Sequence, residues 1–102
     1  EGERLDLPGS PRVVASPGHT AGHASYLLEE QRTLFSGDAL VTDGLIQGDP
    51  GPQLLPTAFH TDPALARESA LALAHLPVDL LLPGHGDPWR GPIADAVAAV
   101  QG

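Results

Sequence analysis

The stretch Ser16-Pro17-Gly18-His19-Thr20-Ala21-Gly22-His23 carries two metal-capable side chains four residues apart. On a helix this spacing places both imidazoles on one face, as in helical zinc motifs. The proline and the two glycines within the stretch are poor helix formers, so it is predicted to be a loop. The two histidines are then expected to point in different directions. At most one of them, His19 or His23, is predicted to bind a metal ion here.

Two later stretches repeat the combination of a metal-capable side chain and a glycine turn. They are Ser36-Gly37-Asp38 and Pro83-Gly84-His85-Gly86. Glycine lets the main chain turn sharply, so Asp38 and His85, like His19, can project from the end of a strand into a common cleft. Imidazole nitrogen and carboxylate oxygen are ligands for zinc and for metals such as iron and manganese. The chain has no cysteine to supply a thiolate ligand.

These stretches, read in order, resemble the last three metal motifs of the metallo-β-lactamase superfamily. The matching residues are Pro17-Gly18-His19-Thr20 with Gly22-His23, then Leu34-Phe35-Ser36-Gly37-Asp38-Ala39-Leu40, then Leu82-Pro83-Gly84-His85-Gly86. Asp38 follows His19 by 19 residues and His85 follows Asp38 by 47, so the resemblance extends over nearly the whole chain. Within the superfamily it is nearest to hydroxyacylglutathione-hydrolase-like members and uncharacterised metallo-hydrolases.

The resemblance implies a site with two metal ions. His19 would complete the histidine set of the first metal, Asp38 would bridge the two metals as the catalytic carboxylate, and His85 would bind the second. His23 is not a ligand in this pattern. The implied cofactors are two divalent ions, zinc first, with iron or manganese as alternatives. The implied reaction is hydrolysis of an ester, thioester or lactone-like bond in a small-molecule substrate by a metal-bound hydroxide.

The leading motif of the family, His-x-His-x-Asp-His, is absent, because no histidine precedes His19. The chain also begins with Glu1 and contains no methionine. We therefore expect residues 1–102 to be a partial metallo-β-lactamase-like domain within a longer protein. Its expected fold is α/β, the C-terminal half of a four-layer αββα sandwich with one sheet covered by helices. Its expected partner is the missing N-terminal half, and alone it is expected to bind metal weakly and to be inactive.

Two other functions remain open. The parent protein could be an iron-dependent oxidoreductase of the same fold, because the sequence does not set the metal. Alternatively, the chain is a catalytically incompetent fragment that acts as a binding module. Metal identity separates the hydrolase from the oxidoreductase, whereas production together with an upstream histidine-rich segment separates both from the binding module.

The charge of the chain bears on its partners. Thirteen acidic residues against five arginines and no lysine give a formal net charge of −8 over 102 residues. Since phosphate backbones are bound by basic patches, no nucleic-acid partner is expected. No apolar run approaches the about 18 residues of a membrane-spanning helix, and no signal peptide is visible. No membrane partner and a cytoplasmic location are therefore expected.

Strands and helices are predicted to alternate along the chain. The predicted strands are 13–15, 24–30, 33–36 and 78–82. A helix is predicted to begin at the Asp62-Pro63 cap and to end at Pro77, and a last helix follows Gly91-Pro92. The segment 43–62, rich in glycine and proline, is predicted to be either a lid beside Asp38 or a surface excursion.

Two sets of surface residues are predicted. His60 and His75 have no companion at ligand spacing and are expected to be exposed. The face that would meet the missing half is expected to be apolar and open to water; it consists of Val13, Leu27, Phe35 and Leu81 or their neighbours. Because exposed apolar patches promote association, self-association of the chain is expected.

Overall fold

The computed structural model describes residues 4–6, 10–43, 51–55 and 59–101. These residues form five strands and two α-helices. The strands are β1 (Arg12–Ala15), β2 (Ala24–Leu28), β3 (Thr33–Gly37), β4 (Leu80–Pro83) and β5 (Trp89–Arg90), and the helices are α1 (Pro63–Ala72) and α2 (Ile93–Gln101). A 3-10 turn, Leu73–His75, continues α1. The predicted α/β class is confirmed.

The strands form one mixed sheet in the order β1-β2-β3-β4-β5. Neighbouring strands are antiparallel except β3 and β4, which run parallel. Strands β1, β3 and β4 therefore point the same way, and their carboxyl ends lie at one edge of the sheet. Because His19, Asp38 and His85 each follow one of these strands, the topology brings all three to this edge.

The hydrophobic core lies between the sheet and the helices. Leu27, Leu34 and Leu81 are neighbours across β2, β3 and β4, are at most 1% exposed, and cluster with Ile93 and Val97 of α2. The prediction that Leu27 and Leu81 belong to the open face is therefore wrong. Side chains alternate between the faces of a strand, and the register places both residues beside Leu34 on the helix side.

The other face of the sheet is apolar and partly exposed. Val13, Tyr26, Phe35 and Leu82 pair in succession across β1 to β4, and we call this set the open sheet face. Tyr26 and Phe35 are 40% and 42% exposed. The predicted apolar face thus exists, with Val13 and Phe35 as expected. Self-association through it stays a prediction.

Helix α1 begins as predicted. The side chain of Asp62 accepts a hydrogen bond from the N–H of Leu65 at 3.0 Å, which satisfies one of the free N–H groups of the first turn. The helix buries Ala66 and Ala70, whereas Ala72 is exposed. None of the described helices is long and apolar enough to cross a membrane.

Half of the segment predicted as a lid or surface excursion, 43–62, lies outside the described residues, namely 44–50 and 56–58. Of its described part, Gln53 pairs with Val41, and Leu55 is buried at 4% exposure. Phe59 is 40% exposed. The choice between the two interpretations stays open.

Candidate metal centre

The structure brings His19, Asp38 and His85 together, and we call these three residues the candidate metal centre. Asp38 lies between the two histidines. Its Oδ2 is 3.1 Å from Nε2 of His19, and its Oδ1 is 2.7 Å from Nδ1 of His85. The two carboxylate oxygens therefore face different imidazoles. That these residues bind metal stays a prediction.

The centre does not have the geometry of a single-ion site. Within the described residues, no group of three His, Cys, Asp or Glu side chains is arranged to hold one metal ion. The carboxylate of Asp38 instead divides its oxygens between two directions, one toward each imidazole. That the carboxylate bridges two ions stays a prediction.

The residues present fit a divalent metal. Nδ1 of His85 is buried and makes no hydrogen bond in the described structure, although Oδ1 of Asp38 is 2.7 Å away. A ring nitrogen and a carboxylate oxygen that are in contact without hydrogen-bond geometry are better placed to bind one cation together than to form a hydrogen bond with each other. Gly84 leaves room for the carboxylate, because a Cβ there would lie 2.8 Å from Oδ1 of Asp38. Imidazole and carboxylate are donors for zinc and iron.

His23 uses both ring nitrogens for hydrogen bonds. Its Nε2 accepts from the N–H of Asp38 at 3.1 Å, and its Nδ1 lies 2.8 Å from Oγ of Ser16. The pKa of His23 is lowered, first by burial and then by the neighbouring His19, while the Asp38 carboxylate acts in the opposite direction. The ring is therefore neutral at pH 7. No nitrogen of His23 is left for a metal, in agreement with its predicted structural role.

His60 contradicts its predicted position. It is 9% exposed, its Nε2 lies 3.1 Å from the carbonyl oxygen of Leu55, and its ring packs edge-on against His19 with centroids 5.3 Å apart. The approach is made by the main chain, because the N–H of Thr61 donates to the carbonyl oxygen of His19 at 3.0 Å. His19 and His60 are 41 positions apart in the sequence, so no local pattern could predict this contact. His75 is exposed, as predicted.

Sequence reasoning also missed the residues that brace the site. Thr20, next to His19, is exposed and contributes its carbonyl oxygen to hydrogen bonds within the loop. The bracing hydroxyls belong to Ser16, which binds His23, and to Thr42, which donates to the carbonyl oxygen of Asp87 at 2.7 Å. The available signal for Ser16 in the sequence was its position directly before the Pro17-Gly18 turn.

A depression of about 440 Å³ opens beside the turn that carries His85. Thr42, Asp43, Gly51, Gly86, Asp87, Pro88 and Trp89 line it. Trp89 lies in β5 and packs against the core cluster, so one part of its ring is buried and another borders the depression.

The sequence matches the metallo-beta-lactamase superfamily over residues 2–85, which is most of the chain. The match includes all three residues of the candidate metal centre. The chain belongs to the metallo-β-lactamase superfamily. The resemblance inferred from the three glycine-flanked motifs is thus confirmed.

Two curated relatives show where in the superfamily the similarity lies. The "Probable metallo-hydrolase YflN" of Bacillus subtilis is 42% identical over 87 residues, which cover 76% of this chain and 32% of that protein. A hydroxyacylglutathione hydrolase of Pseudomonas putida is 40% identical over 74 residues, which cover 70% of this chain and 27% of that protein. The chain spans about a third of the length of these relatives.

A solved structure adds a metal-bound neighbour. The crystal structure of TTHA1623 in a di-iron-bound form aligns with a TM-score of 0.60 at 31% identity, covering 95% of this chain and 43% of that chain. A TM-score of this size over almost the whole chain describes the same fold. The expected fold is therefore confirmed by a structure as well as by sequence.

Proposed function

We propose that the chain is part of a metal-dependent hydrolase in which Asp38 bridges two divalent metal ions. The observation that carries the proposal is the position of its carboxylate, with one oxygen 3.1 Å from His19 and the other 2.7 Å from His85. A carboxylate that served one ion, or only a hydrogen bond, would not need its two oxygens divided between two imidazoles. His19 and His85 are then ligands of different metals.

When bound, such metal ions lower the pKa of a coordinated water from its bulk value to about 7 and polarise the oxygen of a substrate carbonyl. The chain contributes one imidazole to each metal and the bridging carboxylate. A catalytic zinc usually has about three protein ligands, so this contribution is too small for either ion. We propose that the remaining ligands come from an N-terminal half of the same domain.

The proposed substrate is a small molecule with an ester, thioester or lactone-like bond. The similarity to a hydroxyacylglutathione hydrolase supports an acylated thiol within this class. The depression beside His85 and Trp89 is the proposed place for part of the substrate. The net charge of −8 supports a function without nucleic acid, and we propose that the protein acts in the cytoplasm.

Zinc titration of the chain tests the bridging role of Asp38. We expect weak binding that shifts the imidazole resonances of His19 and His85 together, with no turnover of a thioester by the chain alone. Asp38→Asn should abolish both shifts, whereas Asp95→Asn, at an exposed carboxylate in the first turn of α2, should leave them unchanged. Shifts of only one histidine, or shifts that persist in Asp38→Asn, would refute the bridge.

An iron-dependent oxidoreductase is the second candidate, favoured by the di-iron-bound form of a neighbour that is 31% identical. Metal analysis of the gene product purified from its source distinguishes the two. Zinc together with hydrolysis of a thioester supports the hydrolase. Iron together with oxygen consumption, and without hydrolysis, supports the oxidoreductase.

A further inference from the structure

His23 links the main chain of Asp38 to two buried serines. The N–H of Asp38 donates to Nε2 of His23 at 3.1 Å, and the other ring nitrogen lies 2.8 Å from Oγ of Ser16. Oγ of Ser16 is in turn 2.9 Å from Oγ of Ser25. We propose that His23 is a positioning residue that fixes the main chain of Asp38 and so keeps its carboxylate at the middle of the candidate metal centre.

The direction of each hydrogen bond follows from the N–H of Asp38, which can only donate. Nε2 of His23 must accept, so the neutral ring carries its proton on Nδ1 and donates it to Ser16. Ser16 then donates to Ser25, whose hydroxyl lies 3.5 Å from the carbonyl oxygen of Ser36. Because Ser16 and Ser25 are at most 1% exposed, water does not compete for these bonds and one tautomer of His23 is favoured.

Asp38 needs this partner because regular strand pairing is interrupted next to it. The register between β3 and β4 shifts between Phe35 and Gly37, and Gly37 has a φ of +53°. A Cβ at Gly37 would lie 2.9 Å from Nε2 of His23, so the imidazole packs directly against this turn. His23 thus supplies an acceptor at the position where the ladder is irregular.

The consequence for metal binding rests on the proposed function, whereas the positioning of the main chain does not. Partners that orient a metal ligand typically change affinity about 10- to 100-fold when they are replaced. An effect of this size is expected if the Asp38 carboxylate loses its fixed place between the imidazoles. His23 itself touches neither metal nor substrate in this account.

Two substitutions separate the two nitrogens of the ring. In His23→Gln the side-chain oxygen reaches the position of Nε2 and can still accept from Asp38. In His23→Asn the amide reaches only the position of Nδ1, so it keeps the contact with Ser16 and leaves the Asp38 N–H without its acceptor. His75→Asn, at an exposed histidine in the 3-10 turn, is the matched control.

Nuclear magnetic resonance of the chain gives three readouts: the tautomer of His23, the hydrogen-exchange rate of the Asp38 amide, and zinc affinity followed on His19 and His85. We expect the Nδ1–H tautomer and a hydrogen-bond coupling between His23 and the Asp38 amide. In His23→Asn, exchange of this amide should rise about 10-fold or more, since an unmade buried hydrogen bond is costly. Zinc affinity should fall about 10- to 100-fold. His23→Gln and His75→Asn should stay near the unchanged chain.

An Nε2–H tautomer in the unchanged chain would overturn the proposal, and this measurement needs no variant to fold. Equal effects of His23→Gln and His23→Asn would also overturn it, because a residue that only fills space tolerates neither or both. If the tautomer and exchange results hold but zinc affinity is the same in His23→Asn as in the unchanged chain, the positioning of the Asp38 main chain is supported and its consequence for metal binding, which rests on the proposed function, is refuted.

Discussion

Gly84→Ala tests whether the space beside the Asp38 carboxylate is required. A Cβ at this position would lie 2.8 Å from Oδ1 of Asp38 and 3.1 Å from both the carbonyl carbon and the carbonyl oxygen of Gly37. The backbone of Gly84 is not in the left-handed region, so alanine is not excluded by its own conformation. The carboxylate can move by a few tenths of an ångström, whereas the Gly37 main chain is part of the β3–β4 pairing and yields less.

The expected cost combines two opposing effects. Overpacking of a well-packed site costs about 1–3 kcal/mol, and about 2 kcal/mol applies here because one contact is a movable side-chain end whereas the other two are main-chain atoms. Replacement of glycine by alanine also reduces the freedom of the unfolded chain, which stabilises the fold by about 0.4–1 kcal/mol. Gly84→Ala should therefore lower the free energy of unfolding by about 1 kcal/mol and displace the Asp38 carboxylate relative to His85.

Gly22→Ala is the matched control, because a Cβ there meets no atom within 4 Å and Gly22 also lies outside the left-handed region. It should stabilise the chain by about 0.4–1 kcal/mol. Urea unfolding followed by the fluorescence of Trp89, the single tryptophan, measures both variants. A change of about 1 kcal/mol in the free energy of unfolding shifts the melting temperature of a domain of this size by about 4–8 °C. In thermal unfolding, the melting temperatures of the two variants should therefore differ by about 10 °C. A Gly84→Ala variant as stable as Gly22→Ala, with an unchanged His85 resonance, would refute the reasoning.

Three further predictions follow from burial, charge and exposure. Because folding lowers the pKa of His23 from 6.5, the unfolded chain takes up a proton first on acidification, so the free energy of unfolding should fall as the pH drops below about 6.5. Chemical denaturation at several pH values measures this slope, which His23→Gln should reduce; an unchanged slope would contradict the assignment. Phe35→Lys on the open sheet face should reduce self-association in analytical ultracentrifugation, whereas Phe59→Lys, at a similarly exposed phenylalanine outside the sheet, should not; equal effects would exclude the open sheet face as the contact. Leu34→Ala should cost about 2–5 kcal/mol in urea unfolding, since Leu34 is fully buried, and a loss below about 1 kcal/mol would contradict its place in the core.

Local sequence patterns predicted β1 to β4, both helices and the three residues of the candidate metal centre, but they did not predict β5. Each strand of three or more residues has β-branched or leucine-rich sequence next to a turn signal, and the Asp62 cap is visible in the sequence itself. His19, Asp38 and His85 were found because each stands beside a glycine at the end of a strand. Their meeting at one edge depends on the strand order, which local patterns do not give and which the structure shows in the parallel pairing of β3 with β4.

Contacts between distant segments were not predictable in this way. His60 was assigned to the surface because it has no companion at ligand spacing, yet main-chain pairing of the next residue, Thr61, places it against His19. Leu27 and Leu81 were assigned to the wrong face because a shift of one residue in register exchanges the faces of a strand. A short apolar run without alternation, such as residues 80–82, does not reveal which leucine faces the helices.

The main chain, more than the side chains, holds the candidate metal centre in place. The carbonyl oxygen of His85 accepts from the N–H of Thr42 at 3.1 Å, that of His19 accepts from Thr61 at 3.0 Å, and Asp38 is held through His23. Each residue is thus anchored to a different segment in the metal-free chain, so metal binding would not require these loops to become ordered. The weak metal binding expected of the chain would then reflect too few ligands rather than misplaced ligands. A further segment that supplied imidazoles to either ion would raise the affinity of the site for that ion without moving the three residues. The stabilisation of the fold by bound metal would then increase as well.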